Sequence, residues 1–245
     1  MKNYLIDTHA HVDMLDDFSL EGVGKVIIPS VEEKTMDKII ELAQDPNIYA
    51  MVGIFPSEAK TYTQEIEDRM IERAKNPKVV AVGEIGLDYY WDKSFNDIQQ
   101  EVFIKQIKMA NKLELPIVIH DREAHKDTFD ILKEVNKNSK VLFHCFSGSV
   151  EFMKECTREG WSIAIGGVVT FKNAVKMKDV TREVPLDKLV LETDAPYLTP
   201  VPFRGKPNKP AYVKYVAEEI AAIRNMPVEE IIDITTTNAE EFFKI

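Results

Sequence analysis

Cysteine, positive charge and long apolar runs are all scarce in this sequence. Its two cysteines, Cys145 and Cys156, are not in C-x-x-C spacing, which excludes a disulfide framework and a zinc ribbon. The formal net charge of -10 disfavours a broad basic face for long duplex DNA. No apolar run approaches the roughly 18 residues that span a bilayer, and the first residues lack the apolar core of a signal peptide. These absences predict a globular protein of the reducing cytoplasm that does not contact membranes.

Eight short runs rich in valine and isoleucine recur along the chain. They are YLID near residue 4, KVIIPS near 25, IYAMVGIFP near 48, KVVAVGEIGLD near 78, PIVIH near 116, KVLFHC near 140, WSIAIGG near 161 and LVLETDAP near 189. Most are separated by segments with apolar residues at helical spacing, such as Met36, Ile39, Ile40 and Ala43. Apolar strands alternating with helices predict a parallel sheet covered by helices, and eight such units favour the closed (β/α)8 TIM barrel of the α/β class.

The chain has no linker that would divide its 245 residues, so we expect one domain over residues 1–245. Prolines and glycines cluster only in TPVPFRGKPNKP, residues 199–210, where a functional loop is expected after the eighth strand. Beyond this loop, helical spacing over residues 212–224 and 228–243 predicts two closing helices.

Side chains of metal-binding types fall at the predicted strand ends, where a barrel has its active site. In DTHAH, alternation along the strand turns His9 and His11 to the same side. The full set is His9, His11, Glu84, His120, His144 and Asp194. Six nitrogen and oxygen donors exceed one tetrahedral site, which indicates two divalent ions with Glu84 as the bridge. The fifth histidine, His125, falls in a helical segment and is expected at the surface.

Six motifs occur in one order over residues 7–210: DTHAHVD, GEIGLDYYW, PIVIHDRE, FHCFSG, ETDAPYLTP and PFRGKPNKP. Together they resemble the TatD family of metal-dependent hydrolases. The resemblance implies a barrel of the metallo-dependent hydrolase type with a dinuclear metal centre. One metal would take His9, His11, Glu84 and Asp194, and the other would take Glu84, His120 and His144. The resemblance also implies hydrolysis of phosphodiester bonds in DNA, the activity of a deoxyribonuclease (DNase).

Four further residues near these motifs are candidate substrate contacts: Arg204, Arg122, Asp88 and Ser147. Arginine can hold two phosphate oxygens at once, which favours the two arginines as phosphate contacts. Three roles stay open for Asp88: substrate binding, helix capping or the orientation of a ligand histidine. The aromatic run Tyr89, Tyr90 and Trp91 either stacks an unpaired base or packs its loop against a helix.

The expected chemistry is hydrolysis by a water that bridges the two metals, with Asp194 as the base that takes its proton. Glu84 is the second catalytic candidate, as the bridging ligand. Mixed histidine and carboxylate ligation suits Zn²⁺, Mn²⁺, Fe²⁺, Co²⁺ or Ni²⁺, with Mg²⁺ binding more weakly at the histidines. Two alternatives stay open: an amidohydrolase-type enzyme acting on a small ester, an amide or an aminoacyl-tRNA ester, and a non-catalytic metal-binding protein. In each case we expect a monomer.

Overall fold

The computed structural model describes residues 2–16 and 18–245, which contain eight β-strands and eight α-helices. By their internal contacts the residues form two compact units. The first unit joins the segment up to Ile28 to His144–Ile245, and the second is Pro29–Phe143. Each unit contains parallel strands with helices packed on them.

The first unit has four strands that form two parallel pairs. They are β1 (Leu5–Asp7), β2 (Val23–Pro29), β7 (Ser162–Ile165) and β8 (Leu189–Leu191). Strand β1 pairs with β2, and β7 pairs with β8. The backbone N–H of Thr8 donates to the carbonyl of Leu191 at 3.0 Å, and that of His11 donates to Ala195 at 2.8 Å. The last strand of the chain therefore lies beside the first, as it does when a barrel sheet closes.

The second unit has the four strands from the middle of the chain. They are β3 (Ile48–Val52), β4 (Val79–Asp88), β5 (Ile117–Arg122) and β6 (Val141–Phe143). Each strand pairs in parallel with the next one along the chain. Every residue of β4 is buried, as expected for a strand that is covered on both faces.

The helices have one apolar side that packs on the strands. In the second unit they are α1 (Met36–Leu42), α2 (Gln64–Arg73), α3 (Asn96–Leu113) and α4 (His125–Val135). In the first unit they are α5 (Val150–Arg158), α6 (Val175–Glu183), α7 (Val213–Arg224) and α8 (Val228–Phe243). Helix α3, for example, buries Val102, Phe103 and Ile107 at helical spacing. None of the helices in the described ranges is long and apolar enough to cross a membrane.

The strands and the two closing helices stand where the sequence predicts them. One detail differs, because β1 already ends at Asp7 and β6 at Phe143. His9, His11 and His144 therefore lie in the loops after their strands, not in the last strand positions. The same holds for Asp194, because β8 ends at Leu191. The single domain over residues 1–245 stays a prediction.

Candidate metal centre

Three of the candidate ligands converge in the first unit, after strands β1 and β8. Oδ1 of Asp194 lies 3.5 Å from Nε2 of His11 and 4.0 Å from Nε2 of His9. The centroids of the two imidazole rings are 5.2 Å apart. The backbone N–H of Asp194 donates to the carbonyl of His9 at 2.9 Å. Backbone hydrogen bonds between the segments that follow β1 and β8 thus bring these three side chains together.

His144 belongs to the same cluster. Its ring stacks on the ring of His9, with 3.8 Å between centroids and 14° between planes. Nδ1 of His144 lies 3.6 Å from Oε2 of Glu192, whose other oxygen, Oε1, accepts a hydrogen bond from the backbone N–H of Cys145 at 2.6 Å. Imidazole is the commonest metal ligand among side chains, so this stacked pair makes His144 a candidate ligand beside His9.

A buried pair, Asp7 and Thr193, ties the end of β1 to the segment after β8. The backbone N–H of Thr193 donates to Oδ1 of Asp7 at 2.9 Å, and its hydroxyl donates to Oδ2 at 2.5 Å. The backbone N–H of His9 donates to the same carboxylate at 3.3 Å. Burial raises the pKa of Asp7 to about 8, although these hydrogen bonds oppose the rise. Asp7 therefore holds the backbone of the candidate ligand His9. It also holds the backbone of Thr193, the residue that precedes Asp194.

Asp194 combines an uncommon backbone conformation with a low pKa. Its φ of 56° lies in the left-handed region, which non-glycine residues adopt rarely and often at functional sites. Burial works against ionisation, but the hydrogen bond from His11 and the electrostatic effect of the neighbouring histidines hold the pKa of Asp194 below its usual value. The carboxylate is therefore in the charged form that a cation requires.

The second unit brings Glu84, Asp88 and His120 together on the neighbouring strands β4 and β5. Nδ1 of His120 lies 2.8 Å from Oε1 of Glu84, and Nε2 lies 3.0 Å from Oδ2 of Asp88. Gly86 lets the backbones of β4 and β5 lie this close, because a Cβ at this position would be 2.0 Å from the carbonyl oxygen of His120. The contact between Asp88 and His120 is the kind by which a carboxylate orients a ligand histidine.

The donor sets of both units fit divalent metals. In the first unit, the ligand atoms of His9, His144 and Glu192 all lie within 4.8 Å of one another. Oε2 of Glu192 is buried without a hydrogen-bond partner among residues 2–16 and 18–245, a cost that a nearby cation would relieve. Imidazole with carboxylate is the ligand chemistry of zinc and its first-row neighbours. Of the six predicted ligands, four lie in the first unit and two in the second, and their role as ligands stays a prediction.

Two of the candidate substrate contacts lie in loops of the first unit. Nη1 of Arg204 donates to the carbonyl of Thr199 at 3.0 Å, and the guanidinium lies 3.9 Å from the ring centre of Phe171. Ser147 is exposed and lines a groove of about 280 Å³ together with Met177. Arg204 therefore also stabilises the loop of residues 199–210, whatever it contacts in a substrate.

The other two candidates, Asp88 and Arg122, lie in the second unit beside the aromatic run. Tyr89 is buried, and its hydroxyl donates to Oδ2 of Asp127 at 3.0 Å. Tyr90 and Trp91 are exposed. Packing of the loop, one of the two interpretations of this run, therefore applies to Tyr89. Stacking on a base stays a prediction for Tyr90 and Trp91, whose rings face solvent.

Two polar residues of the site were not singled out from the sequence. Glu192 precedes Asp194 by two positions, so strand alternation could have placed both on the same side. Asn208 donates from Nδ2 to the carbonyls of Thr193 and Tyr197, at 2.8 and 2.6 Å. Its partners are backbone groups, which leave no pattern in a sequence. Asn208 ties the loop of residues 199–210 to the segment that carries Asp194.

Comparison with known proteins defines the class of this chain. The family model described as TatD related DNase matches residues 6–244. The metal-dependent hydrolase YabD of Bacillus subtilis (strain 168) is 44% identical over 253 residues, which cover 98% of this chain and 99% of that protein. The metal-dependent hydrolase YcfH of Escherichia coli (strain K12) is 36% identical, over 99% of this chain and 96% of that protein.

The crystal structure of YjjV, a TatD homologue from Escherichia coli K12, is similar over the whole of both chains. Its TM-score is 0.93 at 31% sequence identity. This likeness confirms the predicted fold class, a (β/α)8 barrel of the metallo-dependent hydrolase type. The chain belongs to the TatD family of metal-dependent hydrolases.

Proposed function

We propose that this protein is a divalent-metal-dependent phosphodiesterase that cleaves DNA. The observation that carries the proposal is the convergence of His9 and His11 on Asp194, at 4.0 and 3.5 Å, with His144 stacked on His9. Clustered imidazoles and carboxylates at the ends of barrel strands are typical of hydrolases that use metal ions. The description of the matching family model as TatD related DNase supports DNA as the substrate.

The proposal assigns two divalent ions to the predicted ligands. One ion would be held by His9, His11 and Asp194, the other by His120 and His144, and Glu84 would contribute to both. Such ions lower the pKa of bound water and stabilise negative charge on phosphoryl oxygens. Burial supports the assignment, because His9, His11, Glu84 and His144 are buried and His120 and Asp194 are half-buried. Burying polar side chains of these types is costly unless they are paired or coordinate a metal.

Carboxylate side chains of the protein orient the metal-binding histidines and transfer the proton. Asp194 takes a proton from the attacking water and returns it to the leaving oxygen, which one carboxylate can do in two successive steps. Asp88, at 3.0 Å from Nε2 of His120, orients that ring. Oε2 of Glu192 lies 3.6 Å from Nδ1 of His144, beyond hydrogen-bond distance, and we propose that it orients this ring when a metal is bound.

Substrate would be held locally, since the net charge of -10 disfavours long duplex DNA bound through phosphates alone. Arg204 and Ser147 are the proposed phosphate contacts of the first unit, and both lie in exposed loops. We also propose that the protein works in the cytoplasm, as its cysteine content predicts, and that it is a monomer.

A substrate panel tests the function. Protein loaded in turn with Mg²⁺, Mn²⁺, Co²⁺, Ni²⁺ or Zn²⁺ is offered single-stranded DNA, duplex DNA, RNA, bis(p-nitrophenyl) phosphate, a simple ester and an amide. We expect metal-dependent cleavage of the phosphodiesters, and its loss in His9→Ala/His11→Ala. Turnover of only the ester or the amide would support an amidohydrolase-type enzyme. Metal binding without turnover of any substrate would identify a non-catalytic metal-binding protein.

A further inference from the structure

We propose that Tyr90, Trp91 and Arg122 form a stacking platform for an unpaired base of a single-stranded nucleic acid. The platform lies in the second unit, beside the candidate ligand His120. The inference rests on the proposed function and deepens it, because it names the form of nucleic acid that the site takes.

The platform consists of two exposed rings and one cation. The side chain of Trp91 is 77% exposed and that of Tyr90 is 46% exposed. Their ring centroids are 4.7 Å apart, with 90° between planes. The guanidinium of Arg122 lies 3.8 Å from the ring centre of Tyr90 and 5.5 Å from that of Trp91. The cation fixes the tyrosine ring, and the indole keeps most of its apolar surface open to solvent.

Backbone pairing attaches the platform to the candidate site. Arg122 pairs in register with Asp88 across strands β5 and β4. The backbone N–H of Tyr90 donates to Oδ1 of Asp88 at 2.9 Å, and Oδ2 of the same carboxylate lies 3.0 Å from Nε2 of His120. One carboxylate thus connects the platform to a candidate metal ligand.

The chemistry of the platform matches a nucleotide with an unstacked base. A base presents a flat π-face to an exposed indole, and its phosphate is an anion that a guanidinium binds. The guanidinium of Arg122, 3.8 Å from the ring centre of Tyr90, adds a positive charge to this surface that can bind a phosphate. Bases in a duplex are already stacked inside the helix, so the platform favours single strands.

Binding to a strand that resists cleavage tests the platform. The probe is a fluorescein-labelled oligothymidylate of about 8 nucleotides with phosphorothioate linkages, a length within the usual range for single-strand binders. Fluorescence anisotropy with the metal-loaded full chain gives its Kd. Base stacking on one aromatic ring predicts a Kd about fivefold or more higher in Trp91→Ala, and a Kd within about twofold of the parent in Trp91→Phe.

A matched control uses another cation and ring pair of the same unit. Lys78 lies 4.2 Å from the ring centre of Tyr49, at the opposite ends of the strands from His120. Tyr49→Ala should leave the Kd of the oligothymidylate unchanged. An equal rise in the Kd of Tyr49→Ala and Trp91→Ala would overturn the proposal, as would a parent chain that does not bind the strand.

An abasic strand with the same phosphate linkages separates stacking from charge. Trp91→Ala should weaken binding of the base-bearing strand and leave binding of the abasic strand as in the parent. Equal weakening for both strands, or equal weakening for duplex DNA, would overturn the assignment to an unpaired base. Failure of the proposed function has a different signature: unmodified DNA would not be cleaved with any metal, while these binding comparisons could still be made.

Discussion

Oε2 of Glu192 lies 3.6 Å from Nδ1 of His144, and both side chains are almost completely buried. The other carboxylate oxygen accepts a hydrogen bond from the backbone N–H of Cys145 at 2.6 Å. The backbone therefore fixes one end of Glu192 while the other end faces the histidine. A carboxylate beside one imidazole nitrogen sets the tautomer and directs the second nitrogen to a metal.

Glu192→Gln should weaken the binding of one divalent ion by about 10- to 100-fold, the usual effect of losing such an orienting group. The glutamine amide can still accept from Cys145, but it then turns its NH₂ group toward Nδ1 of His144. Metal titration against a competing chelator measures the change. Thermal unfolding of the metal-free protein should change little, because the packing is preserved. Parental metal affinity in this variant would refute the orienting role.

His144→Ala should remove one of about two bound divalent ions, because the variant loses a ligand of one site only. Metal analysis by mass spectrometry on protein prepared without chelator gives the content per chain. His125→Ala is the matched control, since His125 is not among the predicted ligands and its Nδ1 lies 2.7 Å from Oδ2 of Asp121. The control should keep the parental metal content. Unaltered content in His144→Ala would exclude this histidine from the site.

Glu240 on α8 gives the protein a pH-dependent stability in acid. Its carboxylate accepts hydrogen bonds from Nζ of Lys2 at 2.6 Å, from the hydroxyl of Tyr4 at 2.5 Å and from Nζ of Lys25 at 3.2 Å. Burial alone would raise the pKa of Glu240, but these donors lower it from 4.5 to about 2. The group therefore contributes stability above pH 4.5, and this contribution is lost as the pH falls toward 2.

Glu240→Gln should accordingly lower the free energy of unfolding at neutral pH by about 1 to 3 kcal/mol. Chemical denaturation across a pH series measures the difference from the parent, which should shrink as the pH falls from 4.5 toward 2. Glu218→Gln, at an exposed position on α7, is the control and should change stability little. A constant difference between Glu240→Gln and the parent over the whole series would contradict the linkage.

The strands could be located from sequence because burial on both faces makes them continuous apolar runs. Strand β4 is the clearest example, with all its residues buried. The candidate ligands were found for a related reason, since histidines and carboxylates directly after such runs interrupt the apolar pattern. Their grouping within each unit depends on strand neighbours, and a parallel barrel orders its strands along the chain.

Contacts that depend on loop conformation could not be predicted in the same way. Tyr89, Tyr90 and Trp91 form one pattern in the sequence, yet only Tyr89 is buried, because its hydroxyl reaches Asp127 on α4. Arg204 likewise lies over Phe171, a residue from a different loop, which no local spacing indicates. Tertiary partners far along the chain decide whether such side chains pack or face solvent.

The central claim is that Asp194 both binds a metal and accepts a proton during phosphodiester hydrolysis, and Asp194→Asn tests both roles on one preparation. The amide oxygen can still coordinate, so most of the metal should remain, but it cannot take the proton of the attacking water. Single-turnover cleavage of a phosphodiester at full metal loading should be slower by about 10²- to 10⁴-fold. Retained metal with a rate within about threefold of the parent would contradict the role of Asp194 as the base.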